Sequence, residues 1–297
     1  MSNKFAVSLL MTGLCLPAIS HADENLFGYV RGAEVVPKGG WELYNISTLR
    51  TDKGQGSYSA FDNEIELEYG VSDRFNVSGS LQAMSIDTEG LLIDGYLPEE
   101  IDFGLRPMGV EFAGKYNFLR PAADVMGLSV RFGLEYQWLD KHSGQDKQSV
   151  SAQLDFLAQK YFMDGQMIWV ANLGMETTWD DRDFIANLPE GFDWPQDPEM
   201  EIELNVGTGL SYRFAPNWFI GAEVMYETEF ETEVSQERWS VFAGPSLHYG
   251  GSKWWATFTY LPQLSGGGEK YAGQTDDSLH LIEKTKLETR LKIGLNF

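Results

Sequence analysis

Apolar and polar side chains alternate along most of this chain. Phe61, Asn63, Ile65, Leu67 and Tyr69 interleave with Asp62, Glu64, Glu66 and Glu68. After the turn GVSDR, Phe75, Val77, Gly79, Leu81 and Ala83 interleave with Asn76, Ser78, Ser80 and Gln82. Successive side chains of a strand point to opposite faces, so each segment predicts a strand with one greasy and one polar face. The same rule predicts strands over 41–50, 110–118, 128–138, 150–156, 167–175, 202–214, 218–226, 239–249, 254–260 and 287–297. With the first hairpin this makes about twelve strands of roughly ten residues, the length a tilted strand needs to cross a hydrocarbon layer. A sheet of this size must protect its edges, and closing into a barrel removes them.

A soluble β-sandwich alternates in the same way. The links argue against one. Alternate connections are short, at 70–74, 120–127, 163–166, 215–217 and 250–253. The others are mostly longer and polar, at 51–59, 85–106, 140–147, 180–200, 231–237 and 265–280. Aromatic residues gather near strand ends: Tyr69, Phe75, Phe118, Trp138, Trp179, Phe214, Trp218, Trp239, Tyr249 and Trp254. Trp and Tyr favour the headgroup level of a bilayer, where ring and polar atom are both accommodated. The last segment, LETRLKIGLNF, has Leu287, Leu291, Ile293, Leu295 and Phe297 on one face and Glu288, Arg290 and Lys292 on the other.

A closing strand that ends on Phe resembles those of Gram-negative outer-membrane β-barrels. The resemblance covers the chain from about Asp23 to Phe297. It implies a single-chain antiparallel transmembrane β-barrel with short periplasmic turns and longer extracellular loops. It also implies an outer-membrane location, contact with lipid and lipopolysaccharide, and recognition of the C-terminal strand by the barrel assembly machinery. The stretches FGYVRGAEVVPKGGWELY and EYGVSDRF are similar to a narrower family of outer-membrane barrels with no assigned function. That family supplies no catalytic residues.

The N-terminus agrees with export. Lys4, the apolar run AVSLLMTGLCL and Ser20-His21-Ala22 read as a signal peptide over 1–22. Residues 23–40 are then a periplasmic segment, either a tail or a small plug, and 41–297 the barrel. The one cysteine, Cys15, lies inside the signal, so neither disulfides nor cysteine metal sites are expected. A mean hydropathy of -0.27 suggests a soluble protein. In a barrel, however, lipid-facing and lumen-facing residues cancel in such averages. The net charge of -22 argues against a nucleic-acid partner.

The polar face is the expected lumen. Its acidic members include Asp62, Glu64, Glu66, Glu68, Glu111, Glu135, Asp155, Glu176, Glu201, Glu203, Glu223, Glu227 and Glu229. Its expected basic members are Lys115, Arg131, Arg213, Arg290 and Lys292. The pore-lining candidates are Asp62, Glu64, Glu66, Glu68, Glu111, Arg131, Glu135, Glu201, Glu203, Arg213, Glu223, Arg290 and Lys292. Carboxylate rings favour cations, and about twelve strands enclose a narrow lumen. Small cationic or neutral solutes are therefore the expected cargo of a channel or transporter. The alternative is a non-conducting structural or binding barrel, its lumen filled by a network of paired charges and water, that acts through extracellular loops. Inward glycines, among them Gly207, Gly209, Gly221 and Gly244, would let the strands curve or leave room beside bulky loops. Loop 180–200 is the expected inward-folding element.

Lipid hydrolysis is the rival chemistry. Ser246 and His248 share a strand face, but that face points inward at the short-turn end, and no G-x-S-x-G elbow occurs. Non-enzymatic function is therefore expected. His142 and His280 lack ligand spacing, and Asp180, Asp181 and Asp183 read as a solvated loop. No metal or cofactor is expected.

Overall fold

The computed structural model describes residues 25–93, 100–184, 197–231 and 235–297. Twelve strands lie among them: β1 (Trp41–Thr51), β2 (Gln55–Ser72), β3 (Phe75–Leu92), β4 (Asp102–Leu119), β5 (Gly127–Leu139), β6 (Asp146–Phe162), β7 (Met167–Arg182), β8 (Glu199–Ala215), β9 (Trp218–Glu231), β10 (Arg238–Gly250), β11 (Trp254–Gly268) and β12 (Leu287–Asn296). Each pairs antiparallel with its sequence neighbours, and β12 closes on β1, with Glu42 opposite Asn296 and Thr51 opposite Leu287. The closing ladder continues past the strands: Trp41 and Phe297 exchange backbone hydrogen bonds of 2.9 and 3.0 Å. The sheet has no free edge.

Alternation sorts the side chains. Outward residues such as Ile65, Leu81, Phe112, Phe132, Phe156, Leu173, Val206 and Ile220 form an exposed apolar belt. Such a belt is stable only against lipid. Aromatic pairs rim it at the short-turn end, with ring centroids 4.5 Å apart for Trp41–Tyr69, 5.1 Å for Trp218–Tyr249 and 4.5 Å for Tyr249–Trp254. A second rim holds Tyr136–Trp138 and Tyr226–Trp239. The run from Trp239 to Tyr249, at ~3.3 Å per residue and ~40° of tilt, separates the rims by about 25 Å, one bilayer core.

The strands differ from expectation in length. They run to 18 residues in β2, β3 and β4 because the ladder continues above the upper rim. The link expected over 51–59 is accordingly a tight turn, 52–54, with Asp52 at φ 62° and Gly54 at φ 62°. The last long link shifts from 265–280 to 269–286. Most of loop 180–200 lies outside the described residues. The inward-folding element that the described residues contain is 269–286.

Candidate functional site

The lumen is filled at its short-turn end by the chain's own N-terminal segment. Asn25–Gly40 precedes β1, and its first part runs up inside the barrel as a plug. Leu26, Phe27, Val30 and Ala33 are fully buried. Leu26, Phe27 and Val30 pack on inward-facing Ile168, Val170, Phe219, Met225, Phe242 and Leu261. These six break the rule that inward positions are polar, and that break was the sequence signal for an occupant. Two inward glycines make room for it. A Cβ on Gly209 would stand 2.8 Å from the Phe27 ring, and one on Gly221 would stand 3.0 Å from it.

Polar contacts fix the plug's height. Glu223, wholly buried on β9, accepts backbone N–H groups from Gly28 at 2.8 Å, Tyr29 at 2.9 Å and Val30 at 2.9 Å. Thr259 donates its hydroxyl to the same carboxylate at 2.9 Å. Three successive N–H groups converging on one anion make a backbone nest. Farther along, Asn172 bonds both the N–H and the carbonyl of Arg31, at 2.7 and 2.8 Å. Ser129 and Asn117 donate to the carbonyl of Ala33 at 2.5 and 2.7 Å. Lys292 donates to the side chain of Asn25 at 2.5 Å.

His248 belongs to this set. Thr257 gives its hydroxyl proton to the carbonyl of Asn25 at 2.5 Å. It therefore accepts from His248 Nδ1 at 2.7 Å. Ser246 and His248 share the inward face, as their spacing implies, and both are buried. The imidazole bond described here goes to Thr257.

The loop end is closed by 269–286. The side-chain amide of Gln263 on β11 binds this loop at both partners of His280, donating to its carbonyl at 2.9 Å and accepting from its N–H at 2.7 Å. Gly54 donates to the carbonyl of Leu281 at 2.9 Å. Ile282 enters an apolar cluster with Tyr58, Met84, Ile86, Leu91, Ile93, Phe103, Met108 and Leu139. Lys284 reaches Glu227 at 2.6 Å and Glu203 at 3.6 Å, while Arg238 pairs with Glu229 and Glu283. Burial, with Arg238, Lys284 and Lys53 nearby, pushes the His280 imidazole down to about 3. Its Nε2 accepts the N–H of Glu283 at 3.4 Å, as a neutral ring must. Burial would raise the Asp140 carboxyl in the 140–145 turn. Lys147 and Arg182, with N–H donors from Ser143 and His142, instead hold it well below the usual carboxylate range.

Between plug and loop lies a polar chamber of about 340 Å³. Of the pore-lining candidates, Asp62, Glu64, Glu111, Glu135, Glu201, Glu203 and Arg290 line it. Glu66, Glu68 and Arg131 sit lower, around a nearly filled space beside Asn25 and Arg31. Glu223 and Lys292 hold the plug, and Arg213 lies half-buried on β8 near the short turns. The cations are more numerous than the expected five. Arg50, Lys147, Arg182, Arg238 and Lys284 also face inward from the strands and loop beyond the apolar belt, and the plug brings in Arg31. Ion pairs include Arg50–Asp62 at 2.6 Å, Arg131–Glu111 and Lys147–Asp180 at 2.8 Å. The groups Glu199–Glu201–Glu231 and Glu229–Glu237–Glu283 are close enough to hold a cation. Arg182 pairs with Glu199 and Glu201, and Arg238 with Glu229 and Glu283, so each group already has one.

Solved structures share this architecture. The COG4313 outer-membrane channel of Pseudomonas putida F1 matches 89% of this chain and 98% of its own, at 10% identity and a TM-score of 0.54. The β-domain of the Bordetella autotransporter BrkA matches 87% of this chain and 99% of its own, at 13% identity and a TM-score of 0.52. Both likenesses concern the fold. No curated protein matches the sequence. A family model matches residues 19–297, and the chain belongs to that family, the family of unknown function DUF6662.

Proposed function

We propose that this chain is an outer-membrane channel for small cationic or neutral solutes. The observation that carries the reading is the polar chamber of about 340 Å³ inside the closed barrel, with more carboxylates than cations on its wall. A net negative wall concentrates cations and repels anions. The fold shared with the Pseudomonas putida F1 channel supports it. In this orientation the short turns and both termini face the periplasm, and the long loops face outward. Purified protein in a planar bilayer under a salt gradient tests the proposal. Conductance steps with a cation-selective reversal potential support it. Silence from both the wild type and a variant with an undocked plug refutes it.

A second reading is a non-conducting barrel that works through its outer loops. The observation that favours it is occupancy of the lumen at both ends by the chain itself. Silence even with the plug undocked is the outcome this reading expects.

A further inference from the structure

Most charged groups lining the chamber are matched: Asp62 by Arg50, Glu111 by Arg131, Glu227 by Lys284 and Glu229 by Arg238. Five are not. Among the described residues, Glu64, Glu135 and Glu176 have no Lys or Arg nitrogen within 4.0 Å, and Arg31 and Arg290 have no carboxylate within that distance. Glu64 Oε1 is shielded from solvent and has no hydrogen-bond partner there. Glu135 accepts a bond from the neutral amide of Gln82 at 2.6 Å, and Glu176 one from Thr178 at 3.3 Å. Arg290 is fixed in place. It stacks 3.6 Å over the ring of Tyr29, and it donates to Thr48 at 2.8 Å and to the carbonyl of Gly28 at 3.2 Å. Lys141, also on the lining, is an exposed rim residue screened by solvent.

All five are half-buried, and charge held partly out of water without a direct ion pair is costly, so a protein that keeps it has a use for it. The set without a direct ion pair carries both signs, and its half-buried members have a surplus of carboxylates; Glu64, Glu66 and Asp155 act on Arg31 only from beyond contact distance. A purely cationic solute would leave the arginines unmatched, and a purely anionic one the carboxylates. We propose that the chamber is a binding site for an amphoteric solute with surplus positive charge, the pattern of a basic amino acid. The solute's carboxylate faces Arg290 and Arg31, and its ammonium and side-chain cation face Glu64, Glu135 and Glu176. The chamber volume lies in the ordinary range for small-molecule sites. This inference deepens the channel reading by naming the solute class that would pass.

Calorimetric titration of the full mature chain in detergent tests binding without requiring current. Three probes separate the charges: L-arginine, agmatine, which lacks the carboxylate, and L-citrulline, whose side chain is neutral. L-arginine is expected to bind saturably, and both analogues at least about tenfold more weakly. The double variant E135Q/E176Q, with barrel closure checked by heat-modifiable gel mobility, is expected to lose about tenfold or more in L-arginine affinity. Agmatine binding as well as L-arginine would overturn the proposal, and so would citrulline doing so. Absence of saturable heat from L-arginine, or an unaltered affinity in a closed E135Q/E176Q barrel, would do the same. Binding without conductance in either the wild type or the variant with an undocked plug would sink the channel reading alone, and conductance without binding would sink this one alone.

Discussion

Glu223→Gln isolates the latch of the plug with almost no change in shape. In the structure one carboxylate accepts three backbone N–H groups and the Thr259 hydroxyl in a site closed to water. Bonds to a charged acceptor contribute ~1.5–3 kcal/mol each, and bonds between neutral groups about half that. A glutamine amide has one acceptor oxygen. Whichever way it turns, at least one N–H loses its bond to residue 223, Gly28 keeping only its 3.1 Å bond to Thr259 in one orientation, and the remaining bonds lose their charge assistance. The docked plug should weaken by about 3 kcal/mol, which raises its undocked population roughly 150-fold. The plug would not leave altogether, since Leu26, Phe27 and Val30 stay buried and a fully buried side chain of this size contributes ~1.5–3 kcal/mol. Amide hydrogen exchange over residues 25–34 measures the local opening directly. Exchange there should accelerate by about two orders of magnitude, with the barrel strands unchanged. A change smaller than about threefold would refute the latch and leave the apolar contacts as the whole of the docking energy.

Other outcomes follow from the same geometry. Gly209→Leu places a side chain in the space of the Phe27 ring, so it should displace the plug and raise conductance in the bilayer assay; unaltered current and unaltered protection of residues 25–34 would contradict the packing. His280 titrates at about 3 in the fold against an ordinary value near 6.5, so the unfolded or opened loop binds the extra proton. The closed position of 269–286 should therefore be fully stable above about pH 6.5 and lose stability as pH falls toward 3. Protease cleavage within 269–286 should rise on acidification and lose much of that dependence in His280→Asn. The Phe297 side chain is 69% exposed, so Phe297→Ala, which keeps the backbone bonds to Trp41, should move the in-vitro melting temperature little while lowering the amount of barrel inserted in cells.

The barrel was legible because a strand with lipid on one side and water or polar groups on the other must alternate, and the wall segments do so except beside the plug. Trp41–Arg50 and Leu287–Phe297 come out as the seam within a residue. The inward carboxylates were legible for the same reason. The plug left only an indirect trace. Residues 25–40 form no strand and carry no period, so their place depends on Glu223, Thr259, Asn172 and Ser129, remote in sequence. Their receptor did leave a signature, in Ile168, Val170, Phe219, Met225, Phe242 and Leu261 at positions where the rule calls for polar groups. The undercount of cations has another cause. Lys147, Arg182 and Arg238 lie where sequence patterning ends strands at the membrane boundary, but backbone pairing continues into water without the apolar face that marks it.

The seam between β1 and β12 joins parts of the described chain that lie almost its whole length apart. Contacts of such sequence separation are expensive to make because the whole intervening polymer must be looped. Asn25 and Gly28 are bound by Thr257, Thr259, Arg290 and Lys292, all on β11 and β12. Thirteen residues beyond Gly28, Trp41 starts the strand that must find β12. An N-terminal segment docked on the last two strands thus converts a search across the whole molecule into the closure of a short tether. The same residues that obstruct the lumen also serve as a clasp for the cylinder, and loosening them should slow its final zipping as well as unblock it.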